Sequence, residues 1–142
     1  MSTWLIYALL SALTAALVAI FGKIGLQNLD ANTATAIRAV IMALFLVGVV
    51  IVQGKLNLIG EILVNRKALL FILLSGIAGA LSWLFYFLAI KQGHVSQVAP
   101  IDKLSVVFAV ILAVILFGEK ISLISAAGVA LITAGALMVA LG

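Results

Sequence analysis

Arg38, Asp102 and Lys103 are charged residues set among apolar neighbours, and charges in such surroundings either perform chemistry or hold something in place. The chain has eight Lys and Arg, four Asp and Glu and one His. General acid–base or nucleophilic catalysis would need paired carboxylates, a second histidine or a triad, and phosphate chemistry would need a glycine-rich loop. None of these patterns occurs. The lack of cysteine removes disulfides, thiolate metal sites and a thiol nucleophile, and His94 has no neighbouring metal-ligating residue. The expectation is therefore not an enzyme, with no cofactor and no metal. What Arg38, Asp102 and Lys103 can do is bind. Ionisable groups inside membrane segments are costly, and they often mark substrate or ion pathways.

The elements that must position these residues are strongly apolar. Hydrophobic residues make up 67% of the 142-residue chain and charged residues 8%, which lies outside the range of soluble domains. The net charge of +4 is spread out, without the basic run that would point to nucleic acid. Five charge-free runs follow one another, at 1–22, 39–54, 68–90, 104–118 and 121–142. A helix needs about 20 apolar residues to cross the hydrocarbon core. The pattern predicts an all-α membrane protein of five transmembrane helices forming a single domain over 1–142. The first run lacks a positive n-region and is too long for a signal peptide, so it reads as a retained helix.

Helices are expected at about 4–22, 33–52, 68–90 and 123–141, with a fourth starting between Ser96 and Pro100 and ending near Gly118. Small residues recur every four positions at Ser11, Ala15 and Ala19, and again at Ala126, Ala130 and Ala134, marking faces for close packing. Between Gln53 and Lys67, the residues Leu56, Ile59, Ile62 and Leu63 have the spacing of a short amphipathic helix lying at the interface, or the segment is an irregular loop. Gly93 is expected to close the third helix in a left-handed cap.

The second and fourth runs are short, and the candidate site lies there. Only 15 residues separate Lys103 from Glu119, about 22 Å of helix against a core of roughly 30 Å. Either the bilayer thins, or Asp102-Lys103 and Glu119-Lys120 lie partly below the interface. Alternating crossings bring Lys23, Arg38, Lys91, His94, Asp102 and Lys103 near one face. They would form a polar vestibule in which Arg38, Lys23 or Lys103 compensates Asp102, or else serve as interfacial anchors that snorkel. Pro100 sits harmlessly in a first turn or, placed deeper, breaks the helix; the first-turn position is the expected one. Trp83, Tyr86, Phe87 and Ile90 line a cavity wall or form an aromatic belt. The substrate-cavity residues expected are Arg38, Asp102 and Lys103, with Trp83 and Tyr86 on the wall and Pro100 as the helix breaker.

Two stretches carry a resemblance. The first is Leu84-Phe85-Tyr86-Phe87-Leu88-Ala89-Ile90-Lys91-Gln92-Gly93, followed by Val98-Ala99-Pro100-Ile101-Asp102-Lys103-Leu104-Ser105. The second is Leu116-Phe117-Gly118-Glu119-Lys120-Ile121-Ser122, followed by Gly128-Val129-Ala130-Leu131-Ile132-Thr133-Ala134-Gly135. Together they resemble the EamA module of the drug/metabolite transporter superfamily, with its aromatic–Ala–Lys helix end, proline opening the fourth helix and Gly-Glu-Lys step. Most relatives carry two inverted modules. With one, this chain resembles the short five-helix bacterial and archaeal group. The resemblance implies a multi-pass protein of the inner or plasma membrane that moves small metabolites by alternating access. The alternative is a non-transporting membrane subunit of a larger complex, or one handling a lipid carrier.

With five crossings, Lys55, Arg66, Lys67 and Lys120 fall on the N-terminal face, and Lys23, Arg38, Lys91 and Lys103 on the other. That is almost no positive-inside bias, and discounting the partly intramembrane Lys23, Arg38 and Lys103 leaves a mild preference for a cytoplasmic N-terminus. A chain that inserts both ways can pair with itself antiparallel. The expected partners are thus the lipid bilayer, a small-molecule substrate and a second copy in a dual-topology homodimer.

Overall fold

The computed structural model describes residues 3–142. Its regular structure is helical throughout: α1 (Thr3–Gly25), α2 (Ala31–Val52), α3 (Asn57–Val64), α4 (Arg66–Gln92), α5 (Val95–Asp102), α6 (Leu104–Phe117) and α7 (Leu123–Leu141). Five spans are long and apolar enough to cross a membrane: α1, α2, α4, the 23 residues Val95–Phe117 that join α5 to α6, and α7.

Two compact units make up the described chain. One holds the residues up to Lys23 together with Ala89–Gly142, and in it α7 packs on both α5 and α6. The other is Ile24–Leu88, which contains α2, α3 and most of α4. Few side chains are buried, among them Ala19, Phe87, Ile90 and Ala136. Large apolar side chains such as Phe45, Phe108 and Leu131 instead point outward. A surface of that kind is stable where hydrocarbon or another helix covers it, and a helix suits it because its backbone groups are satisfied internally.

Polar side chains start the helices where the sequence turns. Asp30 caps α2, its Oδ1 accepting from the N–H and the hydroxyl of Thr33 at 2.8 Å each. The side chain of Asn65 accepts from Ala68 N–H at 3.1 Å at the start of α4, and Ser122 accepts from Ser125 N–H at 3.0 Å at the start of α7. Asn28 takes a left-handed φ of 63° in the turn before α2, which its short polar side chain tolerates. The segment after Gln53 forms a short helix with Leu56, Ile59, Ile62 and Leu63 all exposed.

Three local expectations need correction. Gly93 is not left-handed; among the described glycines positive φ occurs at Gly54 and Gly118. Gly93 is small because of close approach, since a Cβ there would lie 3.2 Å from Val98 Cγ2 and 3.3 Å from the Ala89 carbonyl. Pro100 is not in a first turn. The helix starts ahead of Ser96, at Val95 after the extended residue His94, so Pro100 is its sixth residue. The ladder on α7 is buried only in part: Ala126 is half-buried, Ala130 and Ala134 are exposed, and the covered face runs through Val129, Thr133 and Ala136.

Gly118 closes α6 in the left-handed conformation with φ 66°, and the N–H groups of Gly118 and Glu119 return to the carbonyls of Val114 and Ala113. A side chain there adds about 1 kcal/mol of left-handed strain. Gly118→Ala is therefore expected to lower the thermal midpoint in detergent by about 4 °C. Gly128→Ala, where nothing lies within 4 Å of the added methyl, should leave the midpoint unchanged or raise it.

Candidate functional site

Arg38 lies further inside its helix than the sequence pattern indicates. Because Asp30 starts α2 at Ala31, Arg38 is the eighth helical residue, about 10 Å along the span. Opposite it, Trp83, Tyr86 and Phe87 occupy positions i, i+3 and i+4 of α4 and so share one face. The Trp83 and Phe87 rings stack with centroids 5.6 Å apart and planes 13° from parallel. Tyr86 stands edge-on to both, at 6.2 Å and 5.5 Å.

The guanidinium carbon of Arg38 lies 3.6 Å from the Phe87 ring centroid and 4.2 Å from that of Trp83. Each such cation–π contact is worth about 0.5–2 kcal/mol. The rings offer no acceptor to the N–H donors. Nε and Nη1 are buried and make no hydrogen bond among the described residues. A buried donor left unsatisfied costs about 1–3 kcal/mol, and more on a charged group. The rings thus hold the cation in position and leave Nε and Nη1 without a hydrogen-bond partner.

In the other unit, Asp102 and Lys103 stand where the α5–α6 span is interrupted. Pro100 has no N–H to return to Ser96, and Lys103 is a single turn residue between the two helices. The N–H of Lys103 bonds to Pro100 O at 3.1 Å, and that of Val106 to Lys103 O at 3.0 Å. These are tight i→i−3 bonds of the 3₁₀ type. Sequence neighbours on a regular helix do not face each other, but here Lys103 Nζ reaches Asp102 Oδ2 at 3.2 Å. The full span is 23 residues, about 34 Å, so it is not short, and Asp102 and Lys103 lie about 10 Å inside its start.

Lys23 does something else. Its ammonium donates to the Gly93 carbonyl at 2.9 Å and to the Ile90 carbonyl, covering acceptors that the end of α4 leaves open. Asp102 is therefore paired with Lys103, whereas Lys23 serves backbone carbonyls and Arg38 lies against aromatic rings.

The EamA-like transporter family model matches residues 2–141. The chain belongs to the EamA-like transporter family. It is also 43% identical, over 97% of its length and 96% of the relative's, to a Sinorhizobium sp protein named "Uncharacterized transporter in cobO 3'region". No solved structure matches it. Family and relative point to a transporter, and with the five apolar spans they make this a multi-pass membrane protein.

Of the residues expected at the site of this EamA-like protein, Arg38, Trp83 and Tyr86 come together in one unit, and Asp102 and Lys103 form a pair in the other. Sequence reasoning underrated Phe87, the buried ring closest to Arg38. Its spacing of four from Trp83 was the available signal. It also missed the part played by Lys23, for which a basic residue in the last turn of α1 gives no hint of a partner on α4.

Lys23→Met leaves two helix-end carbonyls without their charged donor. The expected cost is about 1.5–3 kcal/mol, read as a lower thermal midpoint in detergent. Lys55→Met, at an exposed turn position, should stay within about 0.5 kcal/mol of the parent.

Proposed function

We propose that this protein is a secondary transporter of small solutes working by alternating access as an antiparallel, dual-topology homodimer in the inner or plasma membrane. The observation that carries the reading is Arg38, a cation inside a membrane span, held against Trp83 and Phe87 with buried donors unpaired. Such an intramembrane charge is expensive to keep, and solute binding is the use that a member of a transporter family makes of it. Arg38, Trp83 and Tyr86 are the solute-contacting residues of the Ile24–Leu88 unit. Asp102 and Lys103 are the polar groups that the interrupted α5–α6 span offers. Pro100 is the residue that interrupts it, since its missing N–H frees backbone groups in the manner of discontinuous transporter helices.

The dimer rests on charge and surface. Lys and Arg divide four against four between the two faces, which gives no strong orientation signal. Apolar side chains along α1, α2 and α7 are exposed in the single chain and suit helix-to-helix contact. Two oppositely inserted copies reproduce the inverted repeat on which many secondary transporters are built.

Purified protein in sealed vesicles should move solutes from a metabolite panel, and Arg38→Gln or Asp102→Asn should reduce that flux to the level of empty vesicles without disturbing dimerisation. Flux unaltered by both changes would remove these residues from the site; loss of assembly instead would make them structural. The absence of cysteine makes topology directly measurable. With Gly142→Cys as the single thiol, a membrane-impermeant maleimide should label near one half of the chains in intact cells. Labelling near zero or near completion would overturn dual topology.

A further inference from the structure

The guanidinium of Arg38 is held where one kind of partner suits it. Its carbon lies 3.6 Å and 4.2 Å from two ring centroids, and the rings offer its N–H donors no acceptor. Two of those donor atoms, Nε and Nη1, are buried without a hydrogen-bond partner. Among the described residues no carboxylate is paired with Arg38, and Asp102 is paired with Lys103. A planar fork of N–H donors matches two coplanar oxygens carrying a negative charge.

Charge balance narrows the partner further. One guanidinium neutralises one negative charge, so a monoanion leaves the span neutral, whereas a phosphate dianion leaves excess charge within the hydrocarbon. Trp83 is only half-buried beside the cation, and the half-buried Tyr86 stands edge-on to Trp83, together offering π surface to an organic body attached to the anion. An organic cation fits less well. It would have to displace Arg38 from the rings and leave that charge unsupported inside the span.

We infer that Arg38, braced by Trp83 and Phe87, is a recognition site for the carboxylate of a small monoanionic organic solute. This deepens the transporter reading and rests on it for the word solute. The Trp83 ring centroid lies 4.2 Å from the guanidinium carbon, so binding reports itself optically. Trp4→Phe leaves Trp83 as the sole tryptophan.

The test is a fluorescence titration of that Trp4→Phe protein in detergent with phenylacetate, phenylacetamide and phenethylammonium, paired with phenylacetate counterflow in vesicles. Phenylacetate should saturate the Trp83 signal with an affinity about 10- to 100-fold above that of the amide. Arg38→Lys should bind more weakly, because a point charge lacks the fork, and Arg38→Gln should not bind. Equal affinity for the amide, preference for phenethylammonium, or no response to phenylacetate up to about 10 mM overturns the carboxylate site. The ligand series on the parent protein decides this even where Arg38→Gln fails to fold. Binding without counterflow leaves the carboxylate site standing and overturns transport. Flux of neutral or cationic solutes undiminished by Arg38→Gln leaves transport standing and overturns the carboxylate site.

Discussion

In hydrocarbon no water is available to complete an unpaired peptide group, and each such group costs several kcal/mol. The helices of this protein, their ends and the one place where a span is interrupted all follow from how that demand is met. Asp30, Asn65 and Ser122 supply acceptors at three helix starts, each from a short polar step between apolar runs. Gly118 folds back in a left-handed turn at one helix end. At the end of α4 the chain uses a long-range solution, the ammonium of Lys23 on two backbone carbonyls. Pro100 is the exception, a residue that cannot donate, placed where the helix has already formed.

The same scarcity of partners governs the charges. Lys23 is spent on backbone, and Asp102 is answered by the next residue in the chain, brought round by the turn at Lys103. Arg38 receives aromatic faces, which attract a cation without supplying a single hydrogen-bond acceptor. Of these charged groups, Arg38 is thus the one with buried donors, Nε and Nη1, held in position and unpaired. That difference, rather than the mere presence of a charge, separates a binding element from an anchor. A snorkelling arginine would place its donors in the headgroup region, whereas here Nε and Nη1 are buried against α4.

Much of the architecture was legible in the residues because membrane crossing depends on length and hydropathy, which are additive along a chain. The five spans, the short helix between the second and third crossings and the turn at Gly118 all lie close to where the apolar runs and polar breaks put them. The position of Pro100 and the geometry of Gly93 were misread for a common reason. Each depends on where the helix ahead of it stops or starts, and that boundary was set by His94 and by Lys23 reaching in from α1.

The candidate site divides along the same line. Arg38, Asp102, Lys103, Trp83 and Tyr86 stand out in the sequence because charge and aromaticity are rare in this chain, and the i, i+4 relation of Trp83 and Phe87 follows from helical period alone. Sequence by itself determined the class of protein, its spans and the short inventory of groups able to bind anything. Only the tertiary structure decided which group answers which: Lys23 to the carbonyls of α4, Asp102 to Lys103, and Arg38 to a pair of rings on another helix. The first and last of these pairings join residues far apart in sequence, and the middle one needs the turn at Lys103 to bring two neighbours together. In each case packing and backbone geometry, not sequence spacing, set the distance between the groups.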